Sequence, residues 1–166
     1  MKKNTMLSTL ILILAAVAAA LMAGLFYAWS CSIVPGLATV PDDMYVQSMQ
    51  AFNKAILNPV FFAGFMGALL LLPIAAYMQY TPSPSLRFWL LTAASAVYII
   101  GVFGITAAGN VPLNDGLAAF DLAHATPEMI SAARKKFEDP WNQLQTIRTV
   151  CAIATSILTI IGCISR

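Results

Sequence analysis

Four stretches of the chain are almost unbroken in apolar residues, at about 7–29, 59–80, 86–108 and 140–164. Each is long enough for a helix to cross a hydrocarbon core of about 30 Å, which takes about 20 residues. The first two hold no charge, the third only Arg87 at its starting edge, and the fourth only Arg148. Unpaired backbone groups are costly in lipid, so each run is predicted to be helical. Lys2 and Lys3 followed by an apolar stretch, with the small residues Ala18 to Ala20, also resemble a cleaved leader. The apolar run passes straight through those residues to Trp29, with no polar segment before a cleavage point, so the reading is an uncleaved first span.

The connections have patterns of their own. Between the first two spans, Pro35-Gly36 and Pro41 open a loop in which Tyr45, Met49, Phe52 and Ile56 recur at helical spacing. That periodicity predicts a short amphipathic helix near 43–57, lying on the membrane face. Thr81 to Ser85, with two prolines, reads as a tight turn. In the longest connection, Thr126-Pro127-Glu128 supplies an N-cap, a first-turn proline and an acid at the positive helix end. A second short helix is predicted over 127–137, with Met129, Ala132, Ala133 and Phe137 on its buried face; Asp139-Pro140 then reads as the start of the last span. The fold class is therefore all-α: one domain over 1–166, an integral membrane four-helix bundle with short amphipathic helices in its two long loops. Small residues predict where spans approach one another: Ala16, Ala20 and Gly24 with Tyr27, then Gly64 and Gly67, then Gly101, Gly104 and Ala108.

Composition agrees with lipid as the solvent. Hydrophobic residues make up 60% of the 166, and charged residues 10%, too few to solvate a globular surface in water. The net charge of +2 is spread out apart from Arg134, Lys135 and Lys136, so no nucleic-acid footprint is present. Four spans put both termini on one side, and all 7 acidic residues fall in the two long connections on the other. Basic residues divide nearly evenly, but short basic termini favour a plasma (inner) membrane protein with both ends cytoplasmic.

Little remains to carry chemistry. The chain has one histidine, His124, just before a helix start, and three isolated cysteines, Cys31, Cys151 and Cys163, with no Cys-x-x-Cys. Thiol redox chemistry and a protein-built metal site are thereby disfavoured, and no dinucleotide-binding glycine motif is present, so no cofactor is expected. The remaining polar groups share one membrane face: Asn53 and Asn58; Asn110, Asn114 and Asp115; Trp141, Asn142 and Arg148. Asn58-Pro59 and Asn110-Val111-Pro112 are equally well explained as helix ends. Arg148 is not, because an arginine deep in a span costs about 2.5–3.5 kcal/mol even on lenient scales. Trp141, Gln145, Arg148, Ala152, Thr155, Thr159 and Gly162 form one helical stripe, with Ile147, Val150, Ile157 and Ile161 opposite. Arg148 is thus predicted to point into the bundle, either toward a ligand or into a structural pair with Asp115 or Asp139.

Several segments resemble the anthrone oxygenase-like family of small four-span membrane proteins. They are Ala28-Trp29-Ser30 with Pro35-Gly36-Leu37, Met49-Gln50 before Asn53, Asn58-Pro59, Gly109-Asn110-Val111-Pro112-Leu113-Asn114, and Trp141-Asn142 with Arg148-Thr149. The resemblance covers nearly the whole chain and implies oxidation of a flat hydrophobic aromatic, anthrone- or quinol-like, without metal or flavin. On that basis Arg148, Asn110, Asn114 and Asn142 would stabilise an oxyanion, with Asp115 the nearest base and His124 second. Tyr27, Trp29 and Trp141 would stack on the ligand, with Asn53 and Asn58 beside it. The partners implied are a hydrophobic small molecule and the bilayer, with a homo-oligomer left open. The competing reading is a non-enzymatic scaffold or assembly factor whose polar motifs staple loops to spans. Transport ranks third, because no span carries central acids.

Overall fold

The computed structural model describes residues 5–165. Lys2, Lys3 and Arg166, which enter the charge argument for orientation, lie outside them. Five helices account for nearly all of the described chain: α1 (Met6–Leu37), α2 (Asp42–Ala55), α3 (Pro59–Gln79), α4 (Leu86–Ala118) and α5 (Pro127–Ile164). All but α2 are long and apolar enough to cross a membrane, so the chain is a multi-pass membrane protein. The spanning helices pack in the cyclic order α1–α3–α4–α5, so each touches two neighbours. At one end α2 lies across α5 and the end of α4; at the other, Thr81 to Ser85 makes the turn between α3 and α4.

The bundle is packed through small and medium side chains, Ala15, Ala18 and Met22 meeting Ala68, Leu72, Ala94 and Ala152. Three glycines mark close approaches, Gly101 the tightest, where a Cβ would run into the Cys151 side chain. A Cβ on Gly109 would meet Leu144 Cδ1 at 2.7 Å, and one on Gly64 would meet Met22 Cε at 2.7 Å. The contact face of α1 is not the predicted one. Gly24 and Tyr27 are exposed, and nothing approaches Gly24, while Ala15, Ala19, Met22 and Phe26 are buried. Alanines surround this helix on every side, so a stripe of small residues does not single out its packed face.

The helices run further than the apolar runs do. α1 continues through Pro35-Gly36 and α4 through Asn110-Val111-Pro112, both of which read as helix ends in the sequence. In each case a π-helical stretch, Trp29–Ile33 or Thr106–Asn110, lies two residues before the proline. A π turn displaces the i→i−4 ladder, so a nearby proline, which brings no N–H, removes less than it would from a plain α-helix. The predicted short helix over 127–137 and the last span are likewise one element. α5 is a single helix through Pro140, and the Lys136 carbonyl that this proline leaves unserved belongs to an exposed residue. Thr126 caps it as predicted, its hydroxyl accepting from the Met129 N–H at 3.4 Å.

The helix α2 buries Tyr45, Val46 and Met49 against Leu117, Phe137 and Trp141, forming a second core that caps the bundle. Phe52 is turned away from that core, its ring edge-on to Trp29 at 5.5 Å. On the predicted face of α5 near its start, only Phe137 is buried.

This arrangement places Gln47 on α2 and Glu128 on α5 at one end and Ser83 at the other. In a chain with its cysteines replaced by alanine, single cysteines at Gln47 and Glu128 should label from the same side of the membrane, and one at Ser83 from the opposite side. Labelling of the first two from opposite sides would contradict the arrangement.

Candidate functional site

The inward stripe predicted for the last span is buried in full: Trp141, Gln145, Arg148, Ala152, Thr155, Thr159 and Gly162. Ile147, Val150, Ile157 and Ile161 on the opposite side are exposed. The threonines satisfy themselves, Thr155 and Thr159 each donating to the carbonyl four residues back at 2.8 and 2.7 Å. Gln145 reaches across to α1, donating to the Phe26 carbonyl and to Thr149 Oγ1, both at 3.2 Å. Arg148 is the exception. Its side chain is surrounded by the bundle, with 6% of the residue exposed.

No carboxylate lies within ion-pair distance of Arg148 among the described residues; the ion pairs there are His124–Asp121, Arg134–Asp42 and Arg134–Glu138. One terminal nitrogen of Arg148 donates to Thr106 Oγ1 at 3.2 Å, the other to Gln145 Oε1, and Nε has no partner. The guanidinium lies over two rings, 4.9 Å from the centroid of Phe26 and 5.3 Å from that of Trp141. Ring faces attract a cation, but they neutralise no charge. A guanidinium stays ionised in protein, so the bundle holds a full positive charge without a counter-charge.

The charge opens on a cavity of about 160 Å³ between α1, α2, α3, the far half of α4 and α5. Its walls are mostly apolar and aromatic, with Phe26, Phe61 and Phe65 from the spans and Trp29 and Trp141 at the capped end. The gap exists because α3 packs on the earlier part of α4, whereas the Thr106–Asn110 turn packs on α5. Among the described residues, the buried side-chain atoms without a hydrogen-bond partner are Trp29 Nε1, Asn53 Nδ2, Arg148 Nε and Asn110 Oδ1. The first three belong to residues of this cavity wall, and all three are donors. Buried polar groups are nearly always paired, so three orphaned donors on the residues of one cavity wall mark it as the candidate ligand site.

The other candidates take varied positions. Asn114 lines the cavity and accepts the Trp141 indole N–H at 2.8 Å. Asn110, 1% exposed, sits behind the wall with its amide 3.5 Å from the Trp141 carbonyl. Asn58 is fully used as the cap of α3, accepting from Val60 and Phe61 N–H at 3.0 Å each and donating to the Ala55 carbonyl at 2.9 Å. Asn142 and Tyr27 do not line the cavity, and Tyr27 is 57% exposed. Asp115 is exposed and lines an adjoining chamber of about 400 Å³ with Lys54 and Gln50, divided from the first by Asn53 and Asn114. The offset is helical: Asp115 follows Asn114 by one residue, about 100° around α4. His124 is exposed and 2.8 Å from Asp121. The π turns and the aromatic lining from Phe26, Phe61 and Phe65 escaped the sequence reading. Pro35 and Pro112 were usable signals for the π turns at Trp29–Ile33 and Thr106–Asn110, but phenylalanines on a span look the same whether they line a void or fill a core.

Among the described residues no group of three or more His, Cys, Asp and Glu side chains is placed to hold a metal ion. A larger groove of about 460 Å³ lies between the end of α4 and the start of α5; it is apolar apart from Lys136 and contains none of the orphaned atoms. No curated protein and no solved structure matches the chain significantly. The family model described as anthrone oxygenase matches residues 59–158, a segment that includes α3, α4, Trp141 and Arg148. With more than half of its length matched and the unpaired arginine inside the match, the chain belongs to the anthrone oxygenase family.

Proposed function

We propose that the protein is a membrane-embedded oxygenase that converts a flat, hydrophobic anthrone-like molecule to the quinone, using dioxygen and the acidity of the substrate. The observation that carries this reading is the unpaired Arg148 cation, with the orphaned Trp29 and Asn53 donors, in the wall of an aromatic-lined cavity. An anthrone ionises to a delocalised oxyanion, and preorganised donors at that oxygen act most strongly in a site from which water is excluded. The anion gives one electron to dioxygen, superoxide and the carbon radical combine to a peroxide anion, and this takes back a proton from water, equal to the one lost on ionisation, before the hydroperoxide loses water to form the new carbonyl. One dioxygen is consumed and one water is formed per quinone. Trp29 and Phe61 flank the space for the ring system, and Arg148, lying over Phe26 and Trp141, holds the oxygen.

A scaffold would be expected to pair these groups with one another and leave no void, so the orphaned donors favour a ligand site. Both termini are taken as cytoplasmic in a plasma (inner) membrane, on the strength of the short basic ends, which puts the cavity in the outer half of the bilayer.

The test is dioxygen uptake by the purified protein in nanodiscs supplied with anthrone. The expected result is quinone formation above the spontaneous rate, with one dioxygen per quinone, undiminished by chelators or by dialysis. Oxidation no faster than in empty nanodiscs would overturn the proposal.

A further inference from the structure

We infer that the cavity takes its ligand as the conjugate base and supplies no base of its own, so that the pH dependence of binding belongs to the ligand. The inference rests on reading the cavity as a ligand site, but not on any reaction with oxygen.

Charge and hydrogen-bond direction agree. From α1, α2, α3 and α4 the cavity wall receives no ionisable side chain, and from α5 it receives only Arg148. The titratable groups that adjoin the wall are Asp115 and Lys54, both exposed and both lining the adjoining chamber rather than this one, and the Tyr98 phenol, which lies behind Phe65 and donates to its carbonyl at 2.9 Å. Of the other charges at this end of the bundle, Glu138 and Asp42 pair with Arg134 and Asp121 with His124, while Asp43, Glu128, Lys135 and Lys136 are exposed and outside the wall. Asp139 is exposed and outside the wall.

The wall's hydrogen-bonding capacity leans the same way. Its orphaned atoms are the donors Trp29 Nε1, Asn53 Nδ2 and Arg148 Nε. Of its side-chain oxygens, Gln145 Oε1 and Thr106 Oγ1 accept from Arg148 and Asn114 Oδ1 accepts from Trp141; the one left unengaged is Asn53 Oδ1, on the boundary with the adjoining chamber. A neutral phenol or enol brings a proton to a wall of donors around a fixed cation. The same molecule ionised brings only acceptor lone pairs and the missing counter-charge. The class selected is therefore an ionised aromatic acid, a phenolate or enolate, whose proton has left to water before or during entry.

Equilibrium dialysis into protein-loaded nanodiscs, with empty nanodiscs subtracted, tests this with ligands that do not consume oxygen in the assay. The probes are 2-naphthol, two chlorinated 2-naphthols of graded acidity, and 2-methoxynaphthalene. The midpoint pH of binding should move in step with the acidity of each naphthol. The methyl ether should bind about tenfold or more weakly than the ionised naphthols, the difference expected of a charge-assisted contact. In Arg148→Gln the dependence on ligand ionisation should disappear. One midpoint shared by all three naphthols would show that a protein group titrates, and would overturn the inference while leaving the ligand site standing. Ether binding equal to that of the ionised naphthols would do the same. Binding of none of the probes would overturn the inference and the ligand site together. The series in the unaltered protein decides these outcomes even if the Arg148 variant does not fold.

Discussion

Replacing Arg148 with methionine should leave a folded protein, as stable as the parent or more so, and remove its activity. The two halves of this expectation have one cause. The guanidinium is buried among apolar side chains with an unpaired Nε and no counter-charge, so its ionised form is a burden on the fold. Exchanging buried ionic groups for hydrophobic residues of similar volume is often neutral, or stabilising by about 1–4 kcal/mol. Loss of an oxyanion donor lowers turnover by about 10²–10³-fold, and loss of a full charge should do at least as much. Arg148→Lys should keep part of the activity, since the charge remains and the planar fork is lost. Thermal unfolding in detergent and anthrone oxidation in nanodiscs, measured on the same preparations, check both halves. If Arg148→Met instead melted well below the parent, Arg148 would be a structural staple and the scaffold reading would gain.

The opposite outcome is expected for the other arginine with a large network. Arg134 joins three segments: it donates to the Val40 carbonyl at 2.8 Å, to Asp42 Oδ1 at 3.0 Å and to Glu138 Oε2 at 2.6 Å. Its guanidinium also lies 4.5 Å from the centroid of the Tyr45 ring. Burial pushes the Tyr45 phenol above its ordinary range; Glu138 adds to the shift and Arg134 opposes it. Arg134→Ala would leave Glu138 and the Val40 carbonyl without their donor and should cost about 3 kcal/mol, the lower end for breaking a buried ionic network. The effect should reach the cavity, because α2 carries Phe52 and Asn53 into its wall. A clear fall in melting temperature with weakened naphthol binding is the expected result. An unchanged melting temperature would show that α2 is held by the Tyr45–Met49 face alone.

These two arginines also show what the sequence makes legible. Arg148 stood out because lipid makes a charge in a span expensive, and the period of its neighbours gave the direction in which it points. The same reasoning located all four spans, since run length and missing charge are read directly. The ends of the helices were less legible. Pro35, Pro112 and Pro140 look like stops, and the π turns before two of them, and solvent at the third, depend on tertiary context. Arg134 was visible only as part of a basic run, because its partners at 40, 42 and 45 lie on a distant segment. At the site, Asn114 lines both chambers and Asp115 only the adjoining one, since one residue step turns a helix by about 100°. Adjacency in sequence did not distinguish them.

The most direct measurement is a structure of the protein in lipid with bound 2-naphtholate. The account predicts the naphtholate oxygen within about 3.2 Å of an Arg148 nitrogen, with the ring against Trp29 or Phe61. A ligand seated in the groove beside Lys136, with Arg148 paired to a carboxylate of the protein, would contradict it.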